Sequence, residues 1–222
     1  MHDLQTLLRE AIHLRLMPHP HIVPCMGIVM SETMLRIISP WMENGDIVTY
    51  TKKHPSVSKK DLLEQVADGL HFLQQYKLVH GDLKGSNVLI NDHGKACIAD
   101  LGLSNLTSLS GMSNLSSAGT YRYMSPERIV PEKFGMDTPR ATFSSDVFSF
   151  GMLVYEVYAG HPPFHGIRFE ASAIPRIANG ERPMRPRYIE DEVWSLATRC
   201  WNESPKERPH IFEVYNTLAV LP

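Results

Sequence analysis

The chain has 222 residues, 43% of them hydrophobic and 21% charged, with a formal net charge of -2. That length can bury one sizeable core or two small ones, and the composition excludes the disordered and fibrous classes. With no basic excess there is little support for a nucleic-acid footprint or a polybasic membrane patch, so a charged ligand must be held locally.

Leu4, Leu7, Leu8, Ala11 and Leu14 recur at helical spacing, and the helix they predict must end before Pro18, Pro20 and Pro24, three prolines within seven residues. His19 and His21 fall in this proline-bounded turn, and without a second ligand pair they do not read as a metal site. "IVPCMGIVM" from Ile22 and "MLRIISPW" from Met34 are β-rich runs joined by the polar "SET", a hairpin, and "MENGD" from Met42 then breaks the pattern. Ser58 followed by Asp61 has capping-box form. The stripe Leu62, Leu63, Val66, Ala67, Leu70 and Leu73 then predicts a helix over 59–75. Short strands are expected at "LVH" (78–80), "NVLI" (87–90) and "KACIAD" (95–100), the last two separated by the turn "NDHG". Residues 103–117 are Ser-, Thr-, Asn- and Gly-rich and read as a long loop. The remainder reads as helices over 145–158, 191–201 and 209–218. The halves differ in kind, with "MENGD" as the junction between 1–41 and 42–222.

Cys25, Cys97 and Cys200 are few, odd in number and far apart, which fits reduced, buried thiols better than a disulfide framework. The N-terminus lacks an apolar signal region. The longest apolar stretch, "VFSFGMLVYEVYAG", contains Glu156 and is too short to span a bilayer. The expected compartment is therefore cytoplasmic or nuclear, without membrane or nucleic-acid partners.

Taken singly, an H-x-D tripeptide in a loop is a turn. Here "HGDLKGSN" (80–87), "ADLGL" (99–103), "GTYRYMSPE" (119–127), "SDVFSFGMLVYEVYAG" (145–160), "HPPF" (161–164) and "RCWNESPKERP" (199–209) follow one another in the order and spacing of the protein-kinase signature set. From Leu4 to Pro222 the chain resembles a protein kinase domain, most like the tyrosine-kinase-like group with serine/threonine specificity, including fungal members. The resemblance implies an α+β bilobal fold with a truncated small N-terminal lobe, one helix plus about two strands over 1–41, and a complete, mainly helical C-terminal lobe over 42–222. It also implies ATP and Mg²⁺ as cofactors and a protein substrate presenting a serine or threonine hydroxyl.

Phosphoryl transfer passes through a loose transition state, so catalysis is mostly positioning and charge neutralisation. By resemblance, Asp82 takes or orients the proton of the attacking hydroxyl and Lys84 meets the transferring phosphate. Thr120 bridges the two, as in serine/threonine kinases. Asn87 and Asp100 offer the hard oxygen atoms that Mg²⁺ prefers. Ser39 would stand at the back of the adenine site, with the backbone of Pro40, Trp41 and Met42 along the adenine edge. Asp46 would lie toward the ribose and Leu89 beneath the ring. Leu14, Cys25, His80 and Leu101 would form a packed column anchored at Asp146, and Glu127 with Arg208 a buried ion pair.

Glu10 fits the glutamate that pairs with the kinase third-strand lysine, yet no lysine precedes Lys52 and no G-x-G-x-x-G is found. Two expectations stand: a fragment of a complete serine/threonine kinase, or a catalytically impaired, pseudokinase-like binding module. Retained Asp82, Lys84, Asn87 and Asp100 favour the kinase, with weak or no catalysis by 1–222 alone. Ser104, Thr107, Ser108, Ser110, Ser113, Ser116 and Ser117 read equally as phosphorylation sites and as a solvated loop. Gly81 stands where many kinases carry an arginine that pairs with a phosphorylated segment, so activity should not depend on loop phosphorylation through that contact.

Overall fold

The computed structural model describes residues 18–30, 35–100 and 120–221. Among them are seven α-helices and two antiparallel strand pairs, an α+β fold whose C-terminal part is mainly helical. The expected helix over Leu4 to Leu14, with Glu10, and the loop over 103–117, with Leu101 before it, lie outside the described residues.

Strands β1 (Gly27–Met30) and β2 (Leu35–Ile38) form the expected hairpin, in the register Gly27 to Ile38 and Met30 to Leu35. The break at "MENGD" does more than end a strand. Asp46 Oδ1 accepts the N–H groups of Val48 at 3.0 Å and Thr49 at 2.9 Å, an N-cap that starts an unexpected helix α1 (Ile47–Lys53). Helix α2 (Lys59–Gln75) has the expected bounds; the Ser58 hydroxyl accepts the Asp61 N–H at 3.1 Å, and every member of its apolar stripe is buried.

The expected strand at 78–80 does not form. The His80 N–H goes to the carboxylate of Asp146, 66 positions along the chain, rather than to a neighbouring strand. Strands β3 (Val88–Ile90) and β4 (Ala96–Ile98) pair as expected. Asn91 Oδ1 shapes their turn by accepting from the His93 and Lys95 N–H groups. Each flank of this hairpin is closed by backbone hydrogen bonds: Val23 and His21 pair with Ile98, and the Gly45 carbonyl accepts the Ile90 N–H.

After a short helix α3 (Pro126–Ile129), helix α4 (Phe143–Ala159) runs through the middle of the molecule. It begins two residues earlier than expected because Thr142 and Ser145 form a reciprocal capping box. Residues Ser145 to Val157 are all buried, which is why its sequence is apolar on every side. Helices α5 (Ala173–Ala178), α6 (Asp191–Cys200) and α7 (Ile211–Val220) complete the fold; α7 starts later than expected because His210 is its N-cap. Helix α2 packs on α7 and β4, and α4 packs on α6. The main core joins Leu63, Val66 and Leu70 of α2 to Phe150 and Leu153 of α4 and to Val214 of α7. Each such side chain stabilises the fold by about 1.5–3 kcal/mol when fully buried. A smaller cluster gathers Tyr123, Phe148, Met152, Ile177 and Trp201 below the segment that follows Thr120. No helix among the described residues is long and apolar enough to cross a membrane.

Candidate active site

The polar residues of "HGDLKGSN", His80, Asp82, Lys84, Ser86 and Asn87, sit on an extended loop and one 3₁₀ turn between α2 and β3. What fixes the loop is Asp146, buried in the first turn of α4. Its Oδ2 accepts the His80 N–H and its Oδ1 accepts the Gly81 N–H, both at 2.8 Å. Burial pushes the Asp146 carboxyl above the usual carboxylate range, opposed by His80, by these two N–H bonds and by Arg128. The His80 ring is buried too, with Nδ1 accepting the Asp82 N–H at 3.1 Å and Nε2 3.0 Å from the Ala99 carbonyl.

Asp82 is therefore held by its backbone, leaving its carboxylate for other work. Thr120 donates to Asp82 Oδ1 at 2.9 Å and accepts from Lys84 Nζ at 3.0 Å, while Lys84 Nζ lies 2.9 Å from Asp82 Oδ2. The three groups close a triangle that brings together positions 38 residues apart. The Asn87 side-chain amide donates to the Asp82 carbonyl at 2.8 Å and to Asp82 Oδ2 at 3.1 Å, which turns its own carbonyl oxygen away from Asp82. The Asn87 backbone carbonyl accepts the Ala99 N–H, so Asp100, the next residue, emerges beside it. Asp100 is exposed and has φ +55°, a left-handed conformation that costs a non-glycine residue about 1–2 kcal/mol. Asn87 and Asp100 together supply an amide oxygen and a carboxylate, the hard donors suited to Mg²⁺. No group of three or more His, Cys, Asp or Glu able to hold a metal is found among the described residues.

The adenine-side candidates divide. Pro40, Trp41 and Met42 line a cavity of about 530 Å³ together with Pro18, His19 and Cys97, but Ser39, Asp46 and Leu89 are not part of it. Trp41 is 86% exposed. Asp46 and Leu89 are bridged to each other through the backbone, and both Asp46 oxygens are engaged at the α1 N-terminus, Oδ2 by the Thr49 hydroxyl at 2.7 Å. Of the packed column, His80 and Asp146 are joined and Cys25 is buried, whereas Leu14 and Leu101 lie outside the described residues.

On the other side of Lys84 is a cavity of about 210 Å³ lined by Ser86, Arg122, Tyr123, Glu156, Pro162 and Glu170. Glu156 in this lining is held by Gly85, whose N–H donates to Glu156 Oε2 at 2.8 Å. A Cβ at Gly85 would lie 2.6 Å from that oxygen and 2.6 Å from Val48 Cγ2. Burial pushes the Glu156 carboxyl up, and it pushes the Tyr123 phenol well up, with the Glu156 charge adding to the latter. Arg122 clamps the loop after α4 by donating to the carbonyls of Pro163, Phe164 and Ile167.

Glu127 and Arg208 form the expected bidentate pair, at 2.7 and 2.8 Å. The next residue, Arg128, was legible in no motif, yet its Nη1 donates to the Gly81 carbonyl at 2.7 Å.

A family model described as protein tyrosine and serine/threonine kinase matches residues 1–218. The chain belongs to the protein kinase family. It is similar to serine/threonine-protein kinase STY17 of Arabidopsis thaliana, 28% identical over 222 residues, covering 98% of this chain and 38% of that protein. Serine/threonine/tyrosine-protein kinase HT1 of the same plant is 32% identical over 208 residues, covering 91% of this chain and 50% of HT1. Human tyrosine-protein kinase FRK is 28% identical over 217 residues, with 93% and 41% covered. The kinase chain thus spans half or less of the length of these relatives, whose names differ in the acceptor hydroxyl.

Proposed function

We propose that this chain is the phosphotransferase part of a protein serine/threonine kinase, moving the γ-phosphate of ATP to a serine or threonine hydroxyl, with 1–41 and 42–222 as its two lobes. The observation that carries the reading is the Thr120 hydroxyl, bonded to both Asp82 and Lys84. A residue that follows the 103–117 stretch in sequence is thereby tied to the two groups that would act on acceptor and phosphate.

The Asp82 carboxylate, held at Oδ1 by Thr120 and at Oδ2 by Lys84 and Asn87, receives or orients the proton of the acceptor hydroxyl as its oxygen attacks phosphorus. Lys84 Nζ places a fixed positive charge where negative charge gathers on the transferring group, and the low exposure of both side chains strengthens that interaction relative to water. Asn87 and Asp100 would hold Mg²⁺, which, when bound, neutralises phosphate charge and orients the nucleotide. Pro40 to Met42 offer the backbone edge for adenine, and Ser39, Asp46, Leu89 and Glu10 remain assigned to the nucleotide side by resemblance.

Turnover of Mg²⁺-ATP onto protein serine or threonine, abolished by Asp82→Asn, supports the reading. The same result would sink the alternative, a kinase-derived binding module. Phosphotyrosine as the sole product would overturn the acceptor assignment.

A further inference from the structure

Among the described residues, Arg128 is a charged side chain against the Gly81–Asp82 turn to which the chemistry above gives no task. It lies on α3 immediately after Glu127, whose pair with Arg208 anchors that helix. Its Nη1 donates to the Gly81 carbonyl, while the Gly81 N–H donates to Asp146. Both backbone polar groups of Gly81 are thus taken, one by a carboxylate of α4 and one by a guanidinium of α3. Gly81 has φ +76°, a conformation that glycine adopts without strain, and having no side chain it supplies no cation of its own to this turn. Arg128 feels the charges of Asp146, Asp82 and Glu127. Its Nε is sealed from solvent and has no hydrogen-bond partner among the described residues. A desolvated guanidinium with an unmatched N–H is costly in isolation, and the carboxylates around it with the Gly81 bond offset that cost.

We propose that Arg128 is a positioning residue for phosphotransfer: it grips the turn before Asp82 from the acceptor side, so that Asp82 is aligned only when α3 is anchored. The inference rests on the kinase reading. It makes the alignment of the loop a property of the folded segment, through a permanent charge in place of an added phosphate.

Arg128→Met keeps the stem and removes the fork, and Arg128→Lys keeps a charge without the fork geometry. Turnover of Mg²⁺-ATP with myelin basic protein as acceptor, and amide exchange at Gly81 and Asp82, are measured on the whole chain. Arg128→Met is expected to lower kcat about 10- to 100-fold while KM for ATP changes by less than about threefold. Exchange at Gly81 and Asp82 rises by about tenfold in that variant, and Arg128→Lys recovers part of both effects. Unchanged exchange, or unchanged kcat in an active chain, overturns the positioning role. Where the native chain turns over too weakly to measure, the exchange rates by themselves decide the role of Arg128, and unchanged exchange overturns it. If Arg128→Met does not fold by circular dichroism, Arg128→Gln carries the same comparison.

Discussion

Replacing Glu127 with alanine tests whether the anchor of α3 is as strong as its geometry implies. Arg208 has five N–H donors. All of them are placed: Nε on the Asn202 carbonyl, Nη1 on Glu127 Oε1 and the Ser144 carbonyl, Nη2 on Glu127 Oε2 and the Glu203 carbonyl. Side-chain exposure is 0% for Arg208 and 1% for Glu127, so water cannot replace the lost carboxylate without opening the structure. Glu127→Ala removes two of the five bonds and the bonded counter-charge, which for a buried pair costs about 3–5 kcal/mol. For a chain of this size each kcal/mol lowers Tm by about 2–4 °C, so the expected drop is roughly 6–20 °C. Urea unfolding and calorimetry measure it, and Glu127→Leu combined with Arg208→Met should recover part of the loss. A loss under about 1 kcal/mol, typical of an exposed pair such as Lys133 and Glu203, would refute the reasoning.

Thr120→Val deletes the hydroxyl between Asp82 and Lys84 and should lower kcat about 10- to 100-fold, with Thr120→Ser retaining most activity; equal kcat in the valine variant would remove Thr120 from the machinery. Gly85→Ala drives a methyl against Glu156 and Val48 and should destabilise by about 1–3 kcal/mol, read as a lower urea midpoint. Burial pushes the Cys200 thiol up to about 12 from 9.0. At pH 8 only about one native molecule in ten thousand then carries its thiolate, so iodoacetamide should label Cys200 only after unfolding; native labelling at the rate of a free thiol contradicts this. The sign for stability follows: the native state keeps the proton that the unfolded thiol has released, so this contribution is present below pH 9 and is lost as pH rises toward 12.

Local rules account for the elements that came out as expected. Helix α2 is written in one apolar stripe and one serine cap, and the β3–β4 hairpin in the turn at Asn91; both depend on residues close in sequence. The strand at 78–80 failed because its backbone partner is a carboxylate on α4, and α1 was overlooked because the Asp46 cap was read only as part of a breaking turn. The resemblance implied that Thr120 bridges Asp82 and Lys84, and the hydroxyl does bond both, whereas the clamps on the loop that carries them, Asp146 and Arg128, come from distant helices.

Residue types, their spacing and the kinase resemblance were thus determined by the sequence by itself: the long helices α2 and α4, which carboxylates and amides are available, and which chemistry they suit. The tertiary structure alone decided which partner each charge receives. Asp146 holds two N–H groups of a loop 65 and 66 positions away, and Arg128 reaches the Gly81 carbonyl 47 positions away. The physical reason is that capping and amphipathicity act within a turn or two of chain, whereas a buried charge is stabilised by whatever the packed core brings to it.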